Sequence, residues 1–102
     1  MRLRWQARAV SDVQEIFDYI RLHNLAAAKT YTDQLFAAAS NLIDFPLSGL
    51  PRPDIREGLR SVRMRSHRLY YRVVGDEIRI LRVVHLSRDL RSLAADHDSA
   101  LD

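Results

Sequence analysis

Cysteine is absent from the 102 residues. Disulfide staples, thiolate zinc sites and cysteine nucleophiles are thereby excluded. Glycine and proline occur three times each, and the glycines, Gly49, Gly58 and Gly75, are scattered. No glycine-rich phosphate loop is present. The four histidines, His23, His67, His85 and His97, show no metal-ligand spacing, so no metal is expected. No cofactor motif appears, and no serine sits in a nucleophile elbow. No apolar run approaches the about 20 residues that span a bilayer. The opening Met1-Arg2-Leu3-Arg4-Trp5 is charged where a signal peptide needs apolar residues. The expectation is a small, soluble, cytoplasmic protein with no membrane partner.

Lysine is nearly absent too. Lys29 is the single lysine, and the other 15 of the 16 basic residues are arginine. A GC-rich genome accounts for such a ratio as readily as function does, but it does not account for clustering. Residues 1–51 balance five bases against five acids, residues 52–91 hold eleven arginines and five acids, and residues 92–102 hold three aspartates and no base. The balance is 0, +6 and −3, which sums to the net +3. A basic half-domain points to an acidic partner, either nucleic acid or an acidic protein segment.

With 47% hydrophobic and 28% charged residues, the chain reads as one globular domain, residues 1–91, followed by an acidic, frayed tail, 92–102. Folding back over the basic sheet is the alternative for that tail. Arg2-Leu3-Arg4-Trp5 alternates as a strand does. From Ala9 the period changes: Ala9, Val13, Ile16, Phe17 and Ile20 form one helical stripe, with Asp12, Glu15 and Asp18 off it. The start is ambiguous, because Ser11-Asp12-Val13-Gln14 fits a capping box inside that stripe. The helix is expected to end near His23-Asn24. Asn24 then caps a second helix carrying Ala28, Tyr31, Leu35, Ala38, Ala39 and Leu42 on one face. Phe45 before Pro46 ends it. The short link makes the pair an antiparallel helical hairpin.

Residues 46–58 read as a loop. Three strands follow, at Leu59 to Met64, Leu69 to Val74 and Glu77 to Val84, the last two joined by the two-residue turn Gly75-Asp76. The fold class is therefore α+β: an N-terminal strand, a helical hairpin, and a three-stranded antiparallel meander with the helices on one sheet face. Strict alternation puts Arg79, Leu81, Val83 and His85 on one side of the last strand, and Ile78, Ile80, Arg82 and Val84 on the other. The arginines either solvate a half-covered sheet or line a surface for a partner. Hairpin counting places Arg68 near Val83 to His85, at the same end of the sheet. Arginine can hold a phosphate in its charge-rich transition state, and histidine can move a proton near neutral pH. Ordinary strand-end hydrogen bonds and surface ion pairs account for the same residues.

His67-Arg68-Leu69-Tyr70-Tyr71-Arg72-Val73, followed by Ile78 through Val84 and His85-Leu86-Ser87-Arg88-Asp89, resembles the C-terminal half of the ParE/RelE toxin superfamily. Asp12, Ile16, Tyr19 and Ile20 resemble the family's first helix. Asn24 with Ala27 and Ala28 resembles its helix junction, although Leu25 replaces the usual proline, and Pro46 with Gly49 resembles its loop. The resemblance spans about residues 2–90. It implies a toxin of a type II toxin–antitoxin system that arrests growth, as in plasmid maintenance, and is neutralised by a cognate ParD-like ribbon-helix-helix antitoxin. ParE-like members poison DNA gyrase by protein contact and are not enzymes. RelE-like members cleave mRNA on the ribosome without metal, often using a tyrosine near the C-terminus. Here every tyrosine lies at or before residue 71, which favours the ParE-like reading. The basic sheet surface makes Arg60, Arg63, Arg65, Arg68, Arg82, His85 and Arg88 the expected partner-binding residues, and of these the resemblance carries over Arg68, His85 and Arg88. Arg68, His85 and Arg88 are the catalytic set if the chain is a nuclease.

Overall fold

The computed structural model describes residues 1–88. The acidic segment 92–102 and the domain boundary at 91 lie outside the described residues. The chain runs β1 (Arg2–Trp5), α1 (Ala7–Arg21), α2 (Leu25–Asp44), β2 (Leu50–Pro51), β3 (Arg60–Met64), β4 (His67–Val74) and β5 (Glu77–His85). One sheet has the order β1-β5-β4-β3-β2. Pairing is antiparallel throughout the β2-to-β5 part, while β1 joins the edge parallel to β5, with Leu3 beside Ile78 and Trp5 beside Ile80. Parallel pairing needs a long crossover, which the helical hairpin and the other strands supply. Among the described residues no helix is long and apolar enough to cross a membrane.

The helical stripes bury as their spacing dictates. Ala9 and Val13 from α1 meet Leu35, Ala39 and Leu42 from α2 over Leu69, Tyr71, Ile78, Ile80 and Val83 of the sheet. Each fully buried Leu or Ile contributes about 1.5–3 kcal/mol relative to exposure. Asn24 caps α2 by accepting the Ala27 N–H at 3.0 Å, and Phe45 is the C-cap, as the sequence indicates. α1 starts earlier than the capping-box reading: its N-cap is Gln6, with no side-chain cap. Ser11 and Asp12 are thus interior, and Asp12, off the apolar stripe, is buried at 4% exposure.

Two further differences bear on the site. The 46–58 loop contains β2, whose Pro51 is tolerated at a sheet edge. Tyr71 fixes the same loop, donating its hydroxyl to the Pro46 carbonyl at 2.8 Å and accepting the Gly49 N–H at 2.9 Å. Burial pushes the Tyr71 phenol above its ordinary range, so it stays a donor. Gly49 is required there, because a Cβ would sit 2.5 Å from that hydroxyl. The second difference is a bulge in β5. Tyr71 pairs with Ile80 but Tyr70 pairs with Arg82, which leaves Leu81 as the extra residue. The strict alternation read from the sequence fails there. Ile78, Ile80 and Val83 face the helices, whereas Leu81 and Val84 join Leu59 and Tyr70 in a second cluster, with Ile55 packed on it.

Candidate functional site

The bulge lies where β5 loses a neighbour. β1 accompanies it only through Ile80, after which Gln6 turns into α1 with its N–H on the Ile80 carbonyl. α1 then takes over the role of the missing strand. Asp12 accepts the Val83 N–H at 2.9 Å, and Arg82 donates to both its oxygens, Nε at 2.8 Å and Nη2 at 3.2 Å. Arg8 stands 3.9 Å away on the same carboxylate. Arg82 is 6% exposed. It was expected on a partner surface; instead it is half of a buried, bidentate ion pair that docks α1 on β5. A buried arginine needs such a partner, since leaving either charge alone costs several kcal/mol.

Beside this pair lies a cleft of about 720 Å³ lined by both helices, β5 and the turns at its end. His67 and His85 are cross-strand partners there. Their rings meet edge to face, centroids 5.2 Å apart, and Tyr31 of α2 stacks on His67 the same way at 5.4 Å. The Tyr31 hydroxyl accepts the Ser66 N–H at 3.2 Å and lies 2.6 Å from His67 Nδ1. That 2.6 Å separation is a hydrogen bond whose direction follows the His67 tautomer. Burial, then the neighbouring His85, hold His67 below the ordinary imidazole range. The turn that Tyr31 holds contains Arg65 at φ 54, a left-handed conformation costly for a residue with a Cβ. Arg65 reaches Gln34 at 3.3 Å and lies over the Tyr31 ring. Among the described residues, no three His, Cys, Asp or Glu side chains are grouped to hold a metal.

The residues expected to act together divide between two faces. His85 and Arg88 line the cleft. Arg68 pairs with Val84 at the same end of the sheet, as hairpin counting indicates. It is not among the cleft residues, because β4 sends His67, Leu69 and Tyr71 toward the helices and Arg68, Tyr70 and Arg72 the other way. Arg60 is on the helix side but spent on the loop, donating to the Leu47 and Gly49 carbonyls at 3.2 and 2.8 Å. Arg63 shares the face of Arg68 and stands directly opposite it, and Arg72 stands opposite Arg79. Two arginine pairs thus oppose each other across strands on one face, an arrangement that costs stability on its own. At the β1 edge of this face Glu77 answers three arginines, lying 3.7 Å from Arg2, 3.6 Å from Arg4 and 3.1 Å from Arg79.

This architecture is similar to solved toxin–antitoxin structures. A chain of the chromosomal ParDE system from P. aeruginosa aligns with a TM-score of 0.73 and 27% identity, over 83% of this chain and 95% of that one. A chain of the RelBE2 toxin–antitoxin complex from Mycobacterium tuberculosis aligns with a TM-score of 0.56 and 28% identity, over 82% and 95%. No curated protein matches. The profile of the family described as the ParE toxin of type II toxin–antitoxin system, parDE, matches residues 3–90. The chain belongs to the ParE toxin family. Its resemblance in sequence and its α+β fold therefore agree.

Within this ParE-family chain, Asp12, Tyr31 and His67 are the site residues that sequence reasoning passed over. Tyr31 reads as one more apolar-stripe residue. His67 was a motif letter without a role, although it begins the strand that ends beside His85. Asp12 carries no signal in its helical spacing. Its available clue is the buried, apolar setting of Arg82 between Leu81 and Val83, where an arginine needs a carboxylate.

Proposed function

We propose that this ParE-family toxin arrests growth by a protein–protein contact with DNA gyrase and does not act as a nuclease. The observation that carries this reading is the separation of Arg68 from His85 onto opposite sides of the sheet. A metal-free ribonuclease needs its phosphate-holding arginine and its proton-moving histidine around one reacting phosphate. The division instead favours a surface that binds. On the face away from the helices, Arg63, Arg68, Arg72 and Arg79 oppose one another in pairs. An acidic segment laid across Arg63 and Arg68 would relieve the repulsion of that pair, which is the chemistry expected of an antitoxin that folds on binding. Both similar structures are toxin–antitoxin systems, which supports such a partner.

The nuclease reading rests on His85 and Arg88 sharing the cleft. One experiment separates the two. Gyrase supercoiling of plasmid DNA is measured with the purified chain at rising concentration, then with antitoxin added. The proposed function predicts inhibition that antitoxin reverses. Undisturbed supercoiling by a chain that still arrests growth overturns it. Ribosome-dependent mRNA cleavage abolished by His85→Ala would then establish the nuclease.

A further inference from the structure

The sheet face away from the helices is closed more tightly than its described neighbours account for. Leu59, Tyr70, Leu81 and Val84 form an apolar cluster there, each 0–4% exposed. Four side chains that dry need a layer over them, as the helices provide on the other face. Among the described residues, Ile55 is the apolar side chain packed on the cluster, and Arg52 lies over the Tyr70 ring, 5.9 Å from its centroid. Both belong to the loop before β3, on the β2 side of the sheet. Leu81 and Val84 stand two strands beyond β3, on β5. Arg68 is the cross-strand neighbour of Val84, but an arginine stem keeps its charged end in water and makes an open cover.

We infer that the segment 89–102 is the missing layer: it lies along the face away from the helices, its leucines on Leu81 and Val84 and its aspartates among the arginines. Composition fits both parts of that surface. Leu90, Leu93 and Leu101 are apolar, while Asp96, Asp98 and Asp102 leave residues 92–102 at −3 against +6 for residues 52–91. Arg63 and Arg68 stand opposite each other on the face, and among the described residues neither is paired with an acid. Position fits as well. Val84 is opposite Arg68, so the chain passes Arg88 close to that row. Residues 89 to 96 can span about 26–29 Å when extended. The strand from His85 back to Arg79 covers about 20 Å. Leu90 and Leu93 therefore pass Val84 and Leu81 first, and the aspartates reach the arginines from there. If the antitoxin reading given above holds, its acidic segment must displace this one to reach Arg63 and Arg68.

The absence of cysteine makes the test clean, because Ser99→Cys carries a single nitroxide on the full, methyl-labelled chain. Paramagnetic broadening is expected at the Ile55, Leu81 and Val84 methyls, with Val13, Leu35 and Leu42 in the helix layer spared. The contrast should weaken when Asp96→Asn, Asp98→Asn and Asp102→Asn are combined, and again in raised salt, which screens exposed charges. Even broadening on both faces, or stronger broadening in the helix layer, overturns the inference. So does a contrast that the three substitutions leave unchanged. If the labelled chain fails to fold, the native chain still decides: nuclear Overhauser contacts from Leu90 or Leu93 to Leu81 or Val84 are expected, and their absence rules the cover out. Antitoxin binding is read separately. With the segment in competition, the triple variant should bind antitoxin about fivefold more tightly, the order of one exposed ion pair. Equal affinity with the methyl contrast intact upholds the cover and overturns the antitoxin's claim on the same surface.

Discussion

The two halves of β5 obey different rules. From Glu77 to Ile80 the strand has β1 on one side and β4 on the other, and its side chains alternate strictly between the helices and the opposite face. From Leu81 to His85 it has β4 alone, and a bulge, a buried ion pair and a histidine appear within five residues. Where a strand neighbour is present, backbone hydrogen bonds satisfy the edge and side chains need only be apolar or solvated. Where it is missing, a carboxylate from α1 must serve the exposed N–H, and the charge it brings in must be answered. The cleft lies along the second half because that is where polar groups have been drawn inward.

The largest test of this contrast is Asp12→Ala. It strips the Val83 N–H and leaves Arg82 buried without its partner, so the expected loss is about 3–5 kcal/mol in denaturant unfolding. Pairing it with Arg82→Met should recover much of that loss, because an apolar pair of similar volume needs no answering charge. A cost below about 1 kcal/mol for Asp12→Ala would remove the distinction between the halves. In the first half, Ile80→Val removes one methylene from a fully buried side chain and should cost about 0.5–1.5 kcal/mol.

Acidification should also act on the second half. An unfolded imidazole takes up its proton near pH 6.5, whereas folded His67 is held below that by burial and by His85. Between the two values the unfolded chain binds more protons. Stability is therefore full above about pH 6.5, falls as pH drops through that window, and levels off once folded His67 is also charged. Thermal melting against pH checks the direction, and His67→Phe should flatten the curve. On the face away from the helices, Arg68→Glu should weaken antitoxin binding by about 1 kcal/mol, roughly fivefold, with a shallower salt dependence. Calorimetric titration at two salt concentrations measures both. The smallest effect belongs to Glu77→Gln, an ion-pair change in the well-laddered half, at less than about 1 kcal/mol.

The same contrast explains what could be read in advance. The helical stripes, the Asn24 cap, the Phe45 stop and the Gly75-Asp76 turn follow local rules, and each is where the sequence indicates. The turn pairs Val74 with Glu77, and glycine takes its positive φ of 62. The bulge was hidden because Ile80-Leu81 and Val83-Val84 put apolar residues on both faces of the strand, so slipping by one residue still leaves an apolar residue toward the helices. A strict hairpin count sets His67 against Val84; the extra residue moves it to His85. Arg82 went to the wrong place for a related reason. An arginine inside an apolar strand is ordinarily a surface residue, and the carboxylate that permits its burial lies 70 positions earlier. Long-range satisfaction of polar groups was the part that no local spacing encodes.

β1 pairs with β5, so Arg2 meets Glu77, 77 − 2 = 75 positions later. During translation at about 5–20 residues per second, the first strand waits roughly 4–15 s for its partner to be made. Until then the hairpin of helices has no complete sheet to cover, and Asp12 has neither Arg82 nor the Val83 N–H to bind. The finished sheet can therefore arise only after β5 has been made, and the first strand is the last to find its neighbour.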